Sequence, residues 1–172
     1  MDIPTIRTSR LVLRPFALAD AGVLHGILSD RQVLRYMPTT DPPPLERVEC
    51  MIAGQLRDWG ERGYGWWAVE HRQVVGLIGW CGIGYLPDTD ENEVAYLFSR
   101  ACWGQGLATE AARRALEFGF EEIGLAEIIG LVHPDNVASR RVLEKTGMRL
   151  VNRVHYFGID VDRYRLRESE IV

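Results

Sequence analysis

Two glycines near the middle of the chain are spaced so that the backbone around them can hold an anion. Gly104 and Gly106 belong to the segment 103–109, which reads Trp-Gly-Gln-Gly-Leu-Ala-Thr. An apolar run over 94–98 precedes this segment, and a long run of helix formers follows it. Glycine permits a tight turn, and a helix start offers unpaired N–H groups at the positive end of its dipole. A strand, a glycine turn and a helix start in this order predict a phosphate-binding loop.

Two other phosphate-binding loops are excluded by the residues around these glycines. A Walker loop requires Lys-Ser or Lys-Thr after its last glycine, whereas Leu107 and Ala108 follow Gly106. A dinucleotide-binding fingerprint requires a third glycine and an acidic residue about twenty positions later. The third glycine is missing.

The segment 103–111 resembles the acetyl-CoA pyrophosphate loop of the GNAT superfamily of N-acetyltransferases. The family pattern, Gln/Arg-x-x-Gly-x-Gly/Ala, aligns with Trp103, Gly106 and Ala108. Tryptophan in the first place, with Ala-Thr-Glu-Ala after the loop, is typical of the branch that contains the ribosomal-protein N-terminal acetyltransferases.

Two further segments support this resemblance. Residues 136–148 are similar to the family's segment that begins Asn-x-x-Ser and ends Lys-x-Gly-Phe/Met, and residues 7–14 resemble the first strand of the same branch. The three matches occur in the family's order and cover most of the chain. The resemblance implies an enzyme that moves an acetyl group from acetyl-CoA to a primary amine, either a protein N-terminus or a small molecule.

The residues expected to contact acetyl-CoA lie in the loop, in the strand before it and in the helix of the second match. They are Leu97, Phe98, Ser99, Trp103, Gly104, Gln105, Gly106, Leu107, Ala108, Thr109, Asn136, Ser139 and Lys145. The resemblance implies pyrophosphate on the backbone of 104–109 and pantetheine in a gap between 96–99 and 129–132.

Acetyl transfer needs a group that accepts the proton of the amine and a donor that polarises the thioester carbonyl. Glu93 is the first candidate for the base, because it starts the strand before the loop and shares a face with Ala95 and Leu97. Glu91 is the second candidate, and solvent is the third. A backbone N–H near Leu97 is the candidate donor to the carbonyl.

The leaving thiolate needs a proton. The resemblance places the Ser139 hydroxyl near the sulfur, which makes Ser139 the candidate proton donor. Some relatives use a tyrosine here, so Tyr156 and Tyr164 are alternatives. Asn136 is expected to bind the pantetheine amides, and Lys145 is a candidate for the nucleotide phosphates.

The elements that must position these residues follow from apolar periodicity and from helix-capping residues. Strands are predicted over 10–14, 65–70, 74–85, 93–98, 126–132, 149–155 and 162–166, and helices over 20–29, 45–62, 107–124 and 137–146. Asp20 and Asn136 are the predicted N-caps, and a further short helix is expected over 31–36. This pattern predicts one α/β domain over 1–172, with four helices on a mixed, mostly antiparallel sheet of about seven strands. The resemblance implies that this sheet is splayed in the middle.

Composition limits the partners. The 172 residues carry a formal net charge of −4, which gives no reason to expect nucleic acid or an acidic membrane as partner. No apolar run is long enough to span a membrane, and the N-terminus lacks a signal peptide's regions, so a cytoplasmic protein is expected. Three dispersed cysteines and four dispersed histidines predict neither disulfides nor a metal site.

The sequence is compatible with two functions. The first is a catalytic N-acetyltransferase, and the second is a non-catalytic acyl-CoA-binding module that acts through a partner protein. Both would keep the phosphate loop. The oligomeric state is also open, with a homodimer as one alternative.

Overall fold

The computed structural model describes residues 2–170, which form one eight-stranded sheet with the order β1-β2-β3-β4-β5-β6-β8-β7. The strands are β1 (Ile6–Arg7), β2 (Leu11–Arg14), β3 (Trp66–His71), β4 (Val74–Leu86), β5 (Glu91–Phe98), β6 (Glu127–Val132), β7 (Arg149–Tyr156) and β8 (Ile159–Arg167). The helices are α1 (Ala21–Leu28), α2 (Leu45–Arg62), α3 (Leu107–Glu121) and α4 (Val137–Lys145).

The sheet is antiparallel except at its centre. β5 and β6 run parallel, because α3 connects them as a crossover. The helices cover the two faces in pairs. One apolar cluster joins the sheet to α3 and α4, and the other joins it to α1 and the first half of α2. We refer to these faces as the α3–α4 face and the α1–α2 face.

The predicted fold class is confirmed, with one strand more than expected. β1 has only two residues, which is too short to show an alternating pattern. The predicted domain includes Met1, Ile171 and Val172, which lie outside the described residues. No helix within residues 2–170 is long and apolar enough to cross a membrane.

The short helix predicted over 31–36 is wrong, because this segment forms turns. The Asp30 side chain accepts a hydrogen bond of 2.9 Å from the Gln32 backbone N–H, which favours a turn over a helix. Leu34 is the one buried residue of that window, so the segment has no apolar stripe to pack.

Asp20 precedes α1 as predicted, but its side chain does not cap that helix. The carboxylate instead accepts both terminal nitrogens of Arg14 at 2.8 Å and the Ala17 backbone N–H at 2.8 Å. The ion pair with Arg14 therefore takes the oxygens that a cap would use, and it ties the start of α1 to β2.

Candidate active site

The two central strands part beyond a single point of pairing. β5 and β6 are in register only at Glu93 and Ile129, whereas β6 pairs with β8 over its whole length, from Glu127 to Val132. Glu93 lies at this junction, where its Oε1 accepts a hydrogen bond of 3.3 Å from the Leu131 backbone N–H. The rest of β5, up to Phe98, faces a gap, in agreement with the predicted splay.

The peptide groups of β5 point alternately to β4 and to the gap. The Ser99 N–H donates to the Ile78 carbonyl of β4 at 2.8 Å. The β4–β5 register has no shift, so the peptide groups of Leu97, two residues earlier, also point to β4. Tyr96 and Phe98 point to the opposite side, where the Phe98 carbonyl accepts the Trp103 indole N–H at 2.9 Å. The N–H groups that face the gap beside Leu97 are therefore those of Tyr96 and Phe98.

The predicted phosphate loop joins β5 to α3 and leaves the first N–H groups of this helix uncapped. Gly104 and Gly106 have φ values of 74° and 76°, in the left-handed region that favours glycine. Gly106 is the N-cap of α3 and supplies no side-chain acceptor. A Cβ on Gly104 would meet no described atom within 4 Å. Free N–H donors beside open space at a helix start fit the oxygens of a pyrophosphate.

A hydrogen-bond network that the sequence did not reveal anchors this loop. Glu110, in the first turn of α3, accepts hydrogen bonds from Thr8 Oγ1 at 2.5 Å, Ser9 Oγ at 3.0 Å and the Arg10 N–H at 2.9 Å. The Arg10 guanidinium binds the other carboxylate oxygen at 2.7 Å and donates to the Gln105 carbonyl at 2.8 Å. Glu110 lies inside the recognised motif, but its partners lie about 100 residues earlier in the chain.

The Glu110 carboxylate is strongly held in its charged form. Burial alone would raise its pKa, but the hydrogen bonds from Thr8, Arg10 and Ser9 outweigh burial and lower the pKa to about 2. The network is therefore charged at neutral pH, and it fixes the start of α3 against the turn between β1 and β2.

Glu93 has the environment of a proton acceptor that works near neutral pH. Burial raises the pKa of this carboxyl to about 7, despite the hydrogen bond from the Leu131 N–H, and the charge of Glu91 adds to the rise. Strand alternation puts its side chain on the α1–α2 face with Ala95 and Leu97, which pack into that apolar cluster.

Glu91, the second candidate base, is engaged elsewhere. The Arg163 Nε donates to its Oε1 at 2.9 Å, and a terminal nitrogen of Arg163 contacts the same oxygen. Arg163 also lies 3.5 Å from Glu127. Because the guanidinium already occupies its oxygen, Glu91 is the weaker candidate for accepting the amine proton.

Ser139 and Tyr96 meet on the α3–α4 face of the gap. Asn136 caps α4 as predicted, since its Oδ1 accepts the Ser139 N–H at 3.1 Å. This cap orients the first turn of α4. The Ser139 Oγ lies 2.9 Å from the hydroxyl oxygen of Tyr96, and that hydroxyl is also 3.1 Å from the Ser139 carbonyl. Burial raises the pKa of Tyr96, so this phenol stays protonated at neutral pH.

The sequence places Tyr96 only in the strand that lines the gap, and no local pattern indicates that its hydroxyl meets Ser139. The tyrosines considered instead have other neighbours. The Tyr164 hydroxyl lies 3.3 Å from Glu144, and Tyr156 packs edge-to-face on Phe157 in the β7–β8 hairpin. Lys145 is exposed at the end of α4, where its carbonyl accepts a hydrogen bond from Arg113.

The structure contains three free cysteines, one of them fully buried, and no metal-binding cluster within residues 2–170. The polar groups beside the gap include the Glu93 carboxyl, the hydroxyls of Tyr96 and Ser139, and backbone N–H donors of β5. This set can accept a proton, return a proton and hold an anion.

Comparison with known proteins identifies a family for this arrangement. Residues 10–149 match the family model described as Acetyltransferase (GNAT) domain. The uncharacterized protein YkkB of Bacillus subtilis (strain 168) is 35% identical over 154 residues, which cover 82% of this chain and 83% of that protein.

Solved structures share the whole fold. The acetyltransferase from Agrobacterium tumefaciens str. C58 has a TM-score of 0.84 and 28% identity, and the match covers 97% of this chain and 96% of that one. A ribosomal L7/L12 alpha-N-protein acetyltransferase with coenzyme A has a TM-score of 0.81 and 16% identity, covering 95% and 98%. Spermidine N-acetyltransferase from Vibrio cholerae, with CoA and spermine, has a TM-score of 0.79 and 22% identity, covering 95% and 98%.

Proposed function

The chain belongs to the GNAT acetyltransferase family, whose members are N-acetyltransferases that use acetyl-CoA, and we propose that it acetylates a primary amine in the gap between β5 and β6. One observation carries this placement. The two strands separate beyond Glu93, and the phosphate loop begins just after β5 ends. The proposed base, the gap and the proposed anion site therefore follow one another along residues 93–109.

Acetyl-CoA is proposed to lie along this stretch of residues. The uncapped N–H groups of 104–109 receive the pyrophosphate, and the gap beside Leu97, Phe98 and Ser99 receives pantetheine. Asn136 uses its oxygen in the helix cap, which leaves its amide nitrogen for a pantetheine carbonyl. Lys145 remains the proposed contact to the nucleotide phosphates.

Glu93 is proposed to take the proton of the amine, directly or through one water molecule. Acetyl-CoA supplies an activated thioester, and the amine attacks it only after losing a proton. The pKa of about 7 keeps a substantial fraction of Glu93 ionised at neutral pH while leaving it basic enough to accept a proton.

The oxyanion donor is proposed to be a backbone N–H of β5 beside Leu97. Because Tyr96 and Phe98 direct their peptide groups to the gap, one of these two N–H groups is the donor. On the other side, Ser139 is proposed to protonate the leaving thiolate. Tyr96 then supports Ser139 through the 2.9 Å hydrogen bond between the two hydroxyls.

The acceptor is proposed to be a protein N-terminal amine or a small amine. The sequence match to the ribosomal-protein branch favours the former, and the names of the structural neighbours include both a protein acetyltransferase and a spermidine acetyltransferase. A ribosomal protein is therefore the first protein acceptor to test.

The deciding experiment follows free thiol released from acetyl-CoA with a panel of peptides, amino-acid amides and polyamines. An N-acetyltransferase releases thiol with at least one acceptor and gives the acetylated product by mass spectrometry. Binding of acetyl-CoA without thiol release from any acceptor would favour the non-catalytic module.

A further inference from the structure

The tryptophans divide into two groups by the partner of the indole N–H. Trp59, Trp67 and Trp103 donate to backbone carbonyls at 3.2, 2.9 and 2.9 Å. The indole N–H groups of Trp66 and Trp80 are buried and have no acceptor within residues 2–170. Their rings are stacked, with centroids 3.9 Å apart and planes at 9°. Buried N–H groups without a partner are costly and rare in folded proteins, so two in one stack require an explanation.

This Trp66–Trp80 stack lies on the face of the sheet that carries Glu93. In register, Trp66 is opposite Gly82, and Gly84 is opposite Glu93. The Trp66 Nε1 stands 3.2 Å from the position that a Cβ on Gly84 would take. Directly opposed residues project to one face with their Cβ positions about 5 Å apart. The Trp66 indole N–H therefore lies over Gly84, the cross-strand partner of Glu93.

The backbone of Trp66 is anchored to α2 by two hydrogen bonds. The Trp66 backbone N–H donates to Gln55 Oε1 at 2.7 Å, and the Trp66 carbonyl accepts the Trp59 indole. Trp80 is only 4% exposed. The segment 29–44, which contains no helix or strand, packs Val33 and Leu34 into the same apolar cluster as the stack. Irregular chain therefore packs in the same apolar cluster as the two tryptophans.

We propose that the indole N–H groups of Trp66 and Trp80 bind an oxygen of the acceptor, so that the protein selects amines with a carbonyl or carboxylate close to the reacting nitrogen. This inference rests on the proposed function. Two donors without an acceptor call for oxygen lone pairs, which an amino acid, an amino-acid amide or a peptide N-terminus carries beside its amine. A polyamine offers none. The acceptor would then present its nitrogen to Glu93, which lies on the same face of the sheet.

The test compares glycinamide with propylamine, which has a similar size and no oxygen, as acceptors for each variant. We expect Trp66→Phe or Trp80→Phe to lower the ratio of kcat/KM for glycinamide over propylamine by roughly tenfold, as for one lost hydrogen bond. The difference in basicity between the two amines cancels because both are measured with each variant.

Trp67→Phe is the matched control, because its indole N–H has a partner on the other face of the sheet. This variant should lower Tm by a few degrees and leave the ratio unchanged. Trp66→Phe should not lower Tm through hydrogen bonding, since the N–H that it removes has no acceptor. The two variants thereby separate a stability effect from a selectivity effect.

An NMR measurement on the wild-type protein tests the inference without any variant. Five indole N–H signals are expected, and glycinamide in the presence of CoA should move the two from Trp66 and Trp80 downfield, whereas propylamine should not. Unmoved signals, or an unchanged kcat/KM ratio in both variants, would overturn the selectivity while turnover itself upheld acetyl transfer. No thiol release with any amine would overturn both.

Discussion

The hydroxyl oxygen of Tyr96 lies 2.9 Å from the Ser139 Oγ, and this contact joins β5 to the first turn of α4 across the α3–α4 face of the gap. Because burial raises the pKa of Tyr96, the phenol keeps its proton, which it donates to the Ser139 backbone carbonyl at 3.1 Å. The orientation of the Ser139 hydroxyl, the proposed proton donor to the leaving thiolate, is therefore set by both a strand and a helix.

Replacing Ser139 by alanine tests this role. We expect Ser139→Ala to lower kcat by about 10²-fold, the lower end of what positioned proton transfer contributes, with little change in the Michaelis constant for acetyl-CoA. Tyr96→Phe should lower kcat less, because it removes the support and keeps the donor. A kcat for Ser139→Ala within about twofold of wild type would assign thiolate protonation to Tyr96 or water.

Replacing Glu93 by glutamine tests the base. The wild-type kcat/KM should rise with pH around a midpoint near 7, as Glu93 ionises beside Glu91 and the Leu131 N–H. Glu93→Gln should bind acetyl-CoA normally, turn over slowly at neutral pH and recover partly at high pH, where the free amine is abundant. A pH profile that matches wild type would leave Glu93 a structural role only.

The same variant has a predicted effect on stability. The pKa of Glu93 is raised in the folded state, so its contribution is full below the unfolded value of about 4.5 and is lost as the pH rises through about 7. Glu93→Gln should therefore be more stable than wild type at pH 8 and similar to it at pH 4. Urea unfolding at the two pH values measures this difference.

Placing a charge in the phosphate loop tests where the donor binds. Gly106→Asp adds a negative side chain at the proposed pyrophosphate site and should weaken CoA binding strongly in calorimetry. Gly158→Asp is the matched control, because Gly158 has a φ of 78° and open space around its Cβ position but lies in the β7–β8 turn. Equal CoA affinity in the two folded variants would rule out the loop as the anion site.

Removing the charge of Glu110 tests the loop anchor. Its pKa of about 2 lies below the unfolded value of about 4.5, so its contribution is present above pH 4.5 and is lost as the pH falls toward 2. Glu110→Gln should lower the free energy of unfolding at pH 7 by roughly 1–3 kcal/mol, reduced by the exposure of Arg10, and the difference should vanish near pH 2. A difference that does not depend on pH would contradict the ion-pair origin.

Local patterns in the sequence determined most of the architecture and the position of the loop. Apolar patterns and turn residues placed seven strands to within a few residues, α3 was predicted from the run of helix formers after the glycine loop, and α4 from its N-cap Asn136. The chain was also placed in its family from the order of three short motifs. Such features are readable because the residues that cause them are neighbours in sequence.

The tertiary structure alone decided which distant residues meet. Glu110 accepts hydrogen bonds from residues about 100 positions earlier in the chain. The Tyr96 hydroxyl contacts Ser139 of another element, and the Asp20 carboxylate binds Arg14 and does not cap α1. The stacking of Trp66 on Trp80 depends on strand register in the same way. Side-chain hydrogen bonds between elements arise from packing, and no local periodicity records them. The sequence by itself therefore determined the family and the fold, and the packing of the elements decided the partners of each polar group around the gap.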